Sequence, residues 1–207
     1  MATLHQATLT PTKLELLTAW LPGRHWYPKE AVDDLQRVAG CRFDDPAGEV
    51  GVELLVVRAG ADGPLVHVPM TYRGAPLDDA DFYLIGTMEH SVLGRRWVYD
   101  GVGDPVFVEA LTATIRTGAH QAEELLETDD GPKRRDPSMT VRGTGTADSS
   151  EPAGRLVRVE DGDPAVVVTE AARLDVRRVL TLVPAEGPLA LVGAWAGQTP
   201  TVLADLY

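Results

Sequence analysis

The chain has one cysteine, Cys41, in 207 residues. No internal disulfide framework is possible, and no zinc site built on thiolates. Cys41 is expected as a small buried hydrophobe, in keeping with a reducing cytoplasm. No apolar run approaches the roughly 20 residues that cross a bilayer. Met1 to Pro11 lacks the charged and apolar regions of a signal peptide, so a soluble, cytoplasmic protein is expected. Basic residues are also scarce, and the formal charge is -12. Phosphate backbones and anionic lipid need clustered Lys and Arg, so neither nucleic acid nor membrane is expected as a partner. The one basic run, Lys133-Arg134-Arg135, falls in a polar stretch.

Catalytic signatures are missing too. No HExxH or GxSxG occurs, and no closely spaced ligand set, so neither a metal nor any other cofactor is expected. Gly143-Thr144-Gly145-Thr146-Ala147-Asp148 lacks the spacing and lysine of a phosphate loop and reads as a hairpin or a glycine-softened strand. No histidine stands at a metal-binding interval from His67, which reads as a half-exposed strand residue.

What is present is ordinary for a globular chain: 44% hydrophobic and 24% charged residues, enough for one domain or two small ones. Thr10-Pro11-Thr12 opens a helix, with Thr10 as cap and Leu14, Leu17 and Leu21 as its apolar stripe, seconded by Leu16 and Trp20. Pro22-Gly23 stops it. Arg24-His25-Trp26-Tyr27-Pro28 follows as an aromatic turn, either stacking on sugar rings or closing the core. From Leu35 the pattern becomes LQRVAGCRF, EVGVELLVVRAG and PLVHVPMTYRG, three strands of an antiparallel meander. Pro69 marks the third as an edge or bulged strand, with Val66, Val68 and Met70 on one face and Leu65, His67 and Tyr72 toward the other.

The stretch from Tyr72 to Gly101 is expected to organise the molecule. Thr87 can cap a helix from Met88 to Tyr99, with Glu89 in its first turn and Arg95 and Arg96 in its last. Met88, Val92 and Tyr99 share one side and Leu93 and Trp97 the other, which predicts a helix buried between two layers. Asp104-Pro105 opens another helix carrying Phe107, Val108, Leu111 and Ile115, with AHQAEELLE as its continuation. Residues 128–138 read as a linker. MTVRGTGTA, GRLVRVED, AVVVTEAA, LDVRRVLTLV and PLALVGAWAG then predict a second, mostly antiparallel sheet. The division is a first subdomain over 1–127, the linker, and a β-rich subdomain over 139–207.

Glu89 and His90 form the best acid and base pair, joined by Tyr99, Asp100 or Asp104, with Arg95 or Arg96 to hold an anionic substrate. Adjacent helical residues diverge by about 100°, which argues for a structural role instead.

WLPGRHWYPK, VPMTYRGAPL and GTMEHSVLGRRWVYDGVGDP resemble the N-terminal cap domain of maltokinases and stand-alone cap-like proteins. The resemblance covers about residues 1–127 and implies an α+β fold, a curved antiparallel sheet packed on helices with a cystatin-like shape. A kinase of this family also needs a catalytic aspartate loop, a magnesium-binding acid and a large helical lobe, for which 207 residues leave no room. The expectation is therefore a non-catalytic binding or regulatory protein linked to alpha-glucan, maltose or trehalose metabolism. Its partner would be a sugar, a glucan or a carbohydrate-metabolism enzyme, with a homo-oligomer allowed. Ligand contacts would come from Trp26, Tyr27, Arg95, Arg96, Trp97 and Tyr99. The rival expectation is a small enzyme using Glu89 and His90 on an anionic or sugar substrate.

Overall fold

The computed structural model describes residues 2–28, 34–128, 130–146, 148, 151–181 and 185–207. In chain order, β1 (Ala2–His5), β2 (Leu9–Thr10) and α1 (Lys13–Trp20) precede β3 (Leu35–Phe43), β4 (Gly51–Ala59) and β5 (Leu65–Arg73). Then come β6 (Leu84–His90), β7 (Gly94–Asp100) and α2 (Pro105–Thr117). β8 (Glu124–Glu127), β9 (Lys133–Arg135) and β10 (Met139–Gly143) lead to β11 (Leu156–Glu160), β12 (Ala165–Thr169) and β13 (Arg173–Val176). β14 (Val179–Leu180), β15 (Leu189–Trp195) and β16 (Thr201–Leu206) complete the chain, which is mostly β with few helices.

The first sheet runs β2-β6-β7-β5-β4-β3, with β14 also on β5, and its pairings are antiparallel. Alternation along β5 sends Val66, Val68, Met70 and Tyr72 to one face, where they meet Leu16, Leu17, Trp20 and Leu21 from α1 and the turn after it. Tyr72 thus shares the face of Met70 rather than opposing it. The other face, carrying Leu54, Val56 and Leu65, packs on Phe107, Val108, Leu111 and Ile115 of α2 and on the second sheet.

That second sheet, β10-β15-β16-β13-β12-β11, is antiparallel as expected, but its middle is built on the C-terminal TVLADL, which is not among the five segments expected as strands. Val141, Val167, Leu174, Leu191 and Leu203 join the α2 core, so both sheets share one apolar interior. A small third sheet pairs β1 in parallel with β8 and β8 with β9. Lys133–Arg135 is therefore a strand within the stretch read as linker.

The largest correction concerns residues 84–100. They form a hairpin and not a helix: Glu89 pairs with Arg95 and Met88 with Arg96 across β6 and β7. Val92 and Leu93 lie at its exposed tip and Gly94 takes a positive φ of 72°. The layer everything packs around is this sheet.

Smaller departures follow the same local chemistry. Thr12, not Thr10, caps α1 through a reciprocal capping box with Glu15. Asp104 caps α2 as read, but that helix ends at Gly118 in the left-handed region, and Glu124–Glu127 is a strand instead of its continuation. Pro69 sits in a central strand. The His67 amide donates to the Arg178 carbonyl, and two residues on, the position without an amide hydrogen falls between the short partners β14 and β7.

Candidate functional site

A cleft of about 500 Å³ opens where the β1 segment and β8 approach the hairpin and the β3–β4 end of the first sheet. His5, Lys13, Arg42, Tyr72, His90 and Arg96 line it. Beneath them lies the buried carboxylate of Glu53, which accepts from Lys13 Nζ at 2.5 Å and from the Tyr72 hydroxyl at 2.6 Å, with Arg42 at 3.8 Å. Burial alone would raise the pKa of this acid, yet the cations Lys13 and Arg42 carry it down to about 2. Lys13 and Arg42 also lie over the Tyr72 ring, at 5.2 and 5.8 Å from its centroid. Burial lowers the Lys13 pKa in spite of Glu53.

On the hairpin side, His90 Nδ1 accepts the backbone amides of Val92 (3.3 Å) and Leu93 (3.1 Å). The neutral ring therefore carries its proton on Nε2. His90 stands edge to face with His5 at 6.0 Å, and partial burial, then His5 and Arg96, lower its pKa. His5 in turn reaches Glu127 at 3.0 Å.

The site residues expected from sequence do not converge. In a strand, neighbours point to opposite faces, so Glu89 and His90 are parted: His90 lines the cleft, while Glu89 pairs in the open with Arg95 at 2.8 Å. The acid and base pairing drawn from these two has no shared space to work in. Arg96 reaches the cleft, whereas Trp97 and Tyr99 lie on the opposite face of β7, in register with Arg73 and Thr71. Tyr99 is buried, its hydroxyl taking the Leu77 amide at 2.9 Å. Trp26 and Tyr27 are buried against the α1 face of the sheet. Of the two readings of that aromatic turn, core closure is the one its burial fits.

Two buried acids also serve the fold. Asp104 receives Arg73 on both oxygens at 2.7 Å each, the Thr71 hydroxyl at 2.7 Å, and the Val106 amide at 2.9 Å as the cap of α2. Asp100 receives the wholly buried Arg178 at 3.0 and 2.5 Å. Arg178 also covers the Trp26 ring at 4.9 Å, while the Trp26 indole donates to Asp161 at 2.8 Å. His67, read as half-exposed, is buried beside them with Nδ1 2.9 Å from the Arg177 carbonyl oxygen. Nothing in RRVL distinguished Arg178 from a surface arginine; its partner is remote in sequence. Among the described residues, no group of three or more His, Cys, Asp or Glu is placed to hold a metal ion, and no helix is long and apolar enough to cross a membrane.

The molecule is thus a mostly β protein whose first sheet carries a cleft lined by charged side chains and, at Asp100, a buried ion pair to the segment between β13 and β14. Residues 20–104 match the family model of the maltokinase N-terminal cap domain, and this region of the chain is maltokinase cap-like. The match spans less than half of the chain. A search of curated proteins found no match.

Proposed function

We propose that the protein is a non-catalytic binding or regulatory protein in the cytoplasm, built on a cystatin-like cap, with the cleft beside His90 as its ligand site. Alpha-glucan, maltose or trehalose metabolism is the context, and the cap-like region over residues 20–104 supports it. The observation that carries binding over catalysis is the parting of Glu89 from His90 on opposite faces of β6. In this reading residues 1–127 form the cap subdomain and residues 139–207 a second, β-rich subdomain packed with it as one unit.

Calorimetric titration of the full chain with maltose, trehalose, glucosamine and short glucans tests the reading, together with pull-down of glucan enzymes. Heat from one of these ligands, or capture of a glucan enzyme, is expected. Blank results throughout would reject it.

A further inference from the structure

In a chain of formal charge -12, the cleft gathers Lys13, Arg42, Arg96 and Arg135 with His5 and His90, against Asp44, Asp45 and Glu49. Asp45 is already occupied, since its oxygens accept the amides of Ala47, Glu49 and Val50 in the β3–β4 turn. Lys13 is neutralised by Glu53, and Arg135 faces Glu124 at 3.7 Å.

Arg96 is different. Among the described residues no carboxylate pairs with it; it donates to the Leu93 carbonyl, and its buried Nε has no hydrogen-bond partner. Arg42 reaches a carboxylate only at 3.8 Å. The Arg96 side chain is half-buried, with only its Nε shut off from water, and a planar oxyanion is the group its fork fits. His90 adds an Nε2–H donor on the same lining, because its Nδ1 is taken by two backbone amides.

We propose that the cleft binds a small oxyanion, a phosphate monoester or carboxylate carried on a compact ligand, with Arg96 as the principal contact and Arg42 and His90 in support. It rests on the reading that this cleft is a binding site, and it adds the charge of the ligand. A cleft of about 500 Å³ has room for more than the anionic group alone.

Calorimetry of the full chain with inorganic phosphate, glycerol 3-phosphate and succinate at low ionic strength tests it. Binding of at least one is expected, and the phosphate and carboxylate arms decide which oxyanion is preferred. Affinity should fall roughly tenfold in Arg96→Gln and on adding salt. Arg96→Lys keeps the charge and should recover part of the affinity, which separates loss of the contact from a folding defect. Equal binding by wild type and Arg96→Gln overturns the inference. If maltose or a glucan binds while all three anions stay silent, the inference falls and the binding reading stands; silence from every ligand sinks both.

Discussion

Arg178 and Asp100 lie 78 residues apart in sequence and meet in a two-pronged ion pair, with the guanidinium wholly removed from solvent. Asp100 ends β7 of the cap-like region, and Arg178 lies between β13 of the second sheet and β14, which joins the first. The Arg178 amide also bonds Asp163 at 2.8 Å. The pair is therefore a fixed point between the two sheets.

Breaking one side of such a pair leaves a charge in a dry interior, which costs more than the pair contributes. Asp100→Ala should destabilise the fold by about 3–5 kcal/mol in urea denaturation. Replacing both partners, Asp100→Leu with Arg178→Met, should recover most of that loss, because no orphan charge remains. A single-variant cost under about 1 kcal/mol would show that the two charges do not depend on each other.

His67 predicts a pH dependence. Burial holds its pKa down to about 4 against an ordinary 6.5, and the neighbouring Arg178 charge works in the same direction. The Arg177 carbonyl accepts from Nδ1–H, and among the described residues buried Nε2 has no partner. The unfolded chain binds the proton first as pH falls, so this stability is present above about 6.5 and is lost progressively down to about 4. The interval is worth about 3 kcal/mol. His67→Gln keeps an amide donor but cannot titrate, so its stability should fall less steeply between those two pH values. Parallel curves for the two proteins would remove His67 as the cause.

Gly143 and Gly145 have a steric explanation. A β-carbon on Gly143 would collide with the Thr114 carbonyl oxygen, and one on Gly145 with the Arg116 carbonyl oxygen. The Gly145 amide donates to Ile115 at 2.9 Å. The motif lets the chain after β10 lie directly on the last turn of α2, and it holds no phosphate loop. Gly143→Ala and Gly145→Ala should each cost about 1–3 kcal/mol. Gly23→Ala, where an added β-carbon meets nothing within 4 Å, should stay within about 0.5 kcal/mol. Thermal unfolding of the three variants compares them, and equal midpoints would refute the packing argument.

The elements legible from sequence were those whose pattern is local. The meander shows itself in long β-branched runs broken by Asp, Pro and Gly, and α2 in Asp104-Pro105 followed by the spacing Phe107, Leu111, Ile115. The hairpin hid because β6 has a register shift between Leu84 and Gly86. In β7, Val98, Tyr99 and Asp100 are all buried, so no alternation of apolar and polar residues survives there. Met88, Val92 and Tyr99 then matched a helical face by coincidence of spacing. His90 is legible only as the partner of Glu89, and the cleft is not legible at all: it needs Lys13, Arg42 and Arg96 brought together from three separate elements. The pairing of Asp100 with Arg178 is likewise a product of topology.

Asp104 and Glu89 are both acids that the sequence offers for reactivity, and their settings predict different losses. Asp104 has no solvent exposure; it caps α2, takes the Thr71 hydroxyl and binds Arg73, whose side chain retains 20% exposure. Glu89 and Arg95 keep side-chain exposures of 57% and 62% around a 2.8 Å contact. Water screens the second pair and replaces much of it when broken, so Glu89→Ala should cost under about 1 kcal/mol. Asp104→Ala removes a helix cap and uncovers a partly buried guanidinium together, and should cost about 3 kcal/mol. Asp104→Asn, whose amide oxygen can still cap Val106, should fall between them. Urea midpoints for the three variants give the order directly, and an Asp104→Ala loss no larger than that of Glu89→Ala would mean that the buried cluster is dispensable to the fold.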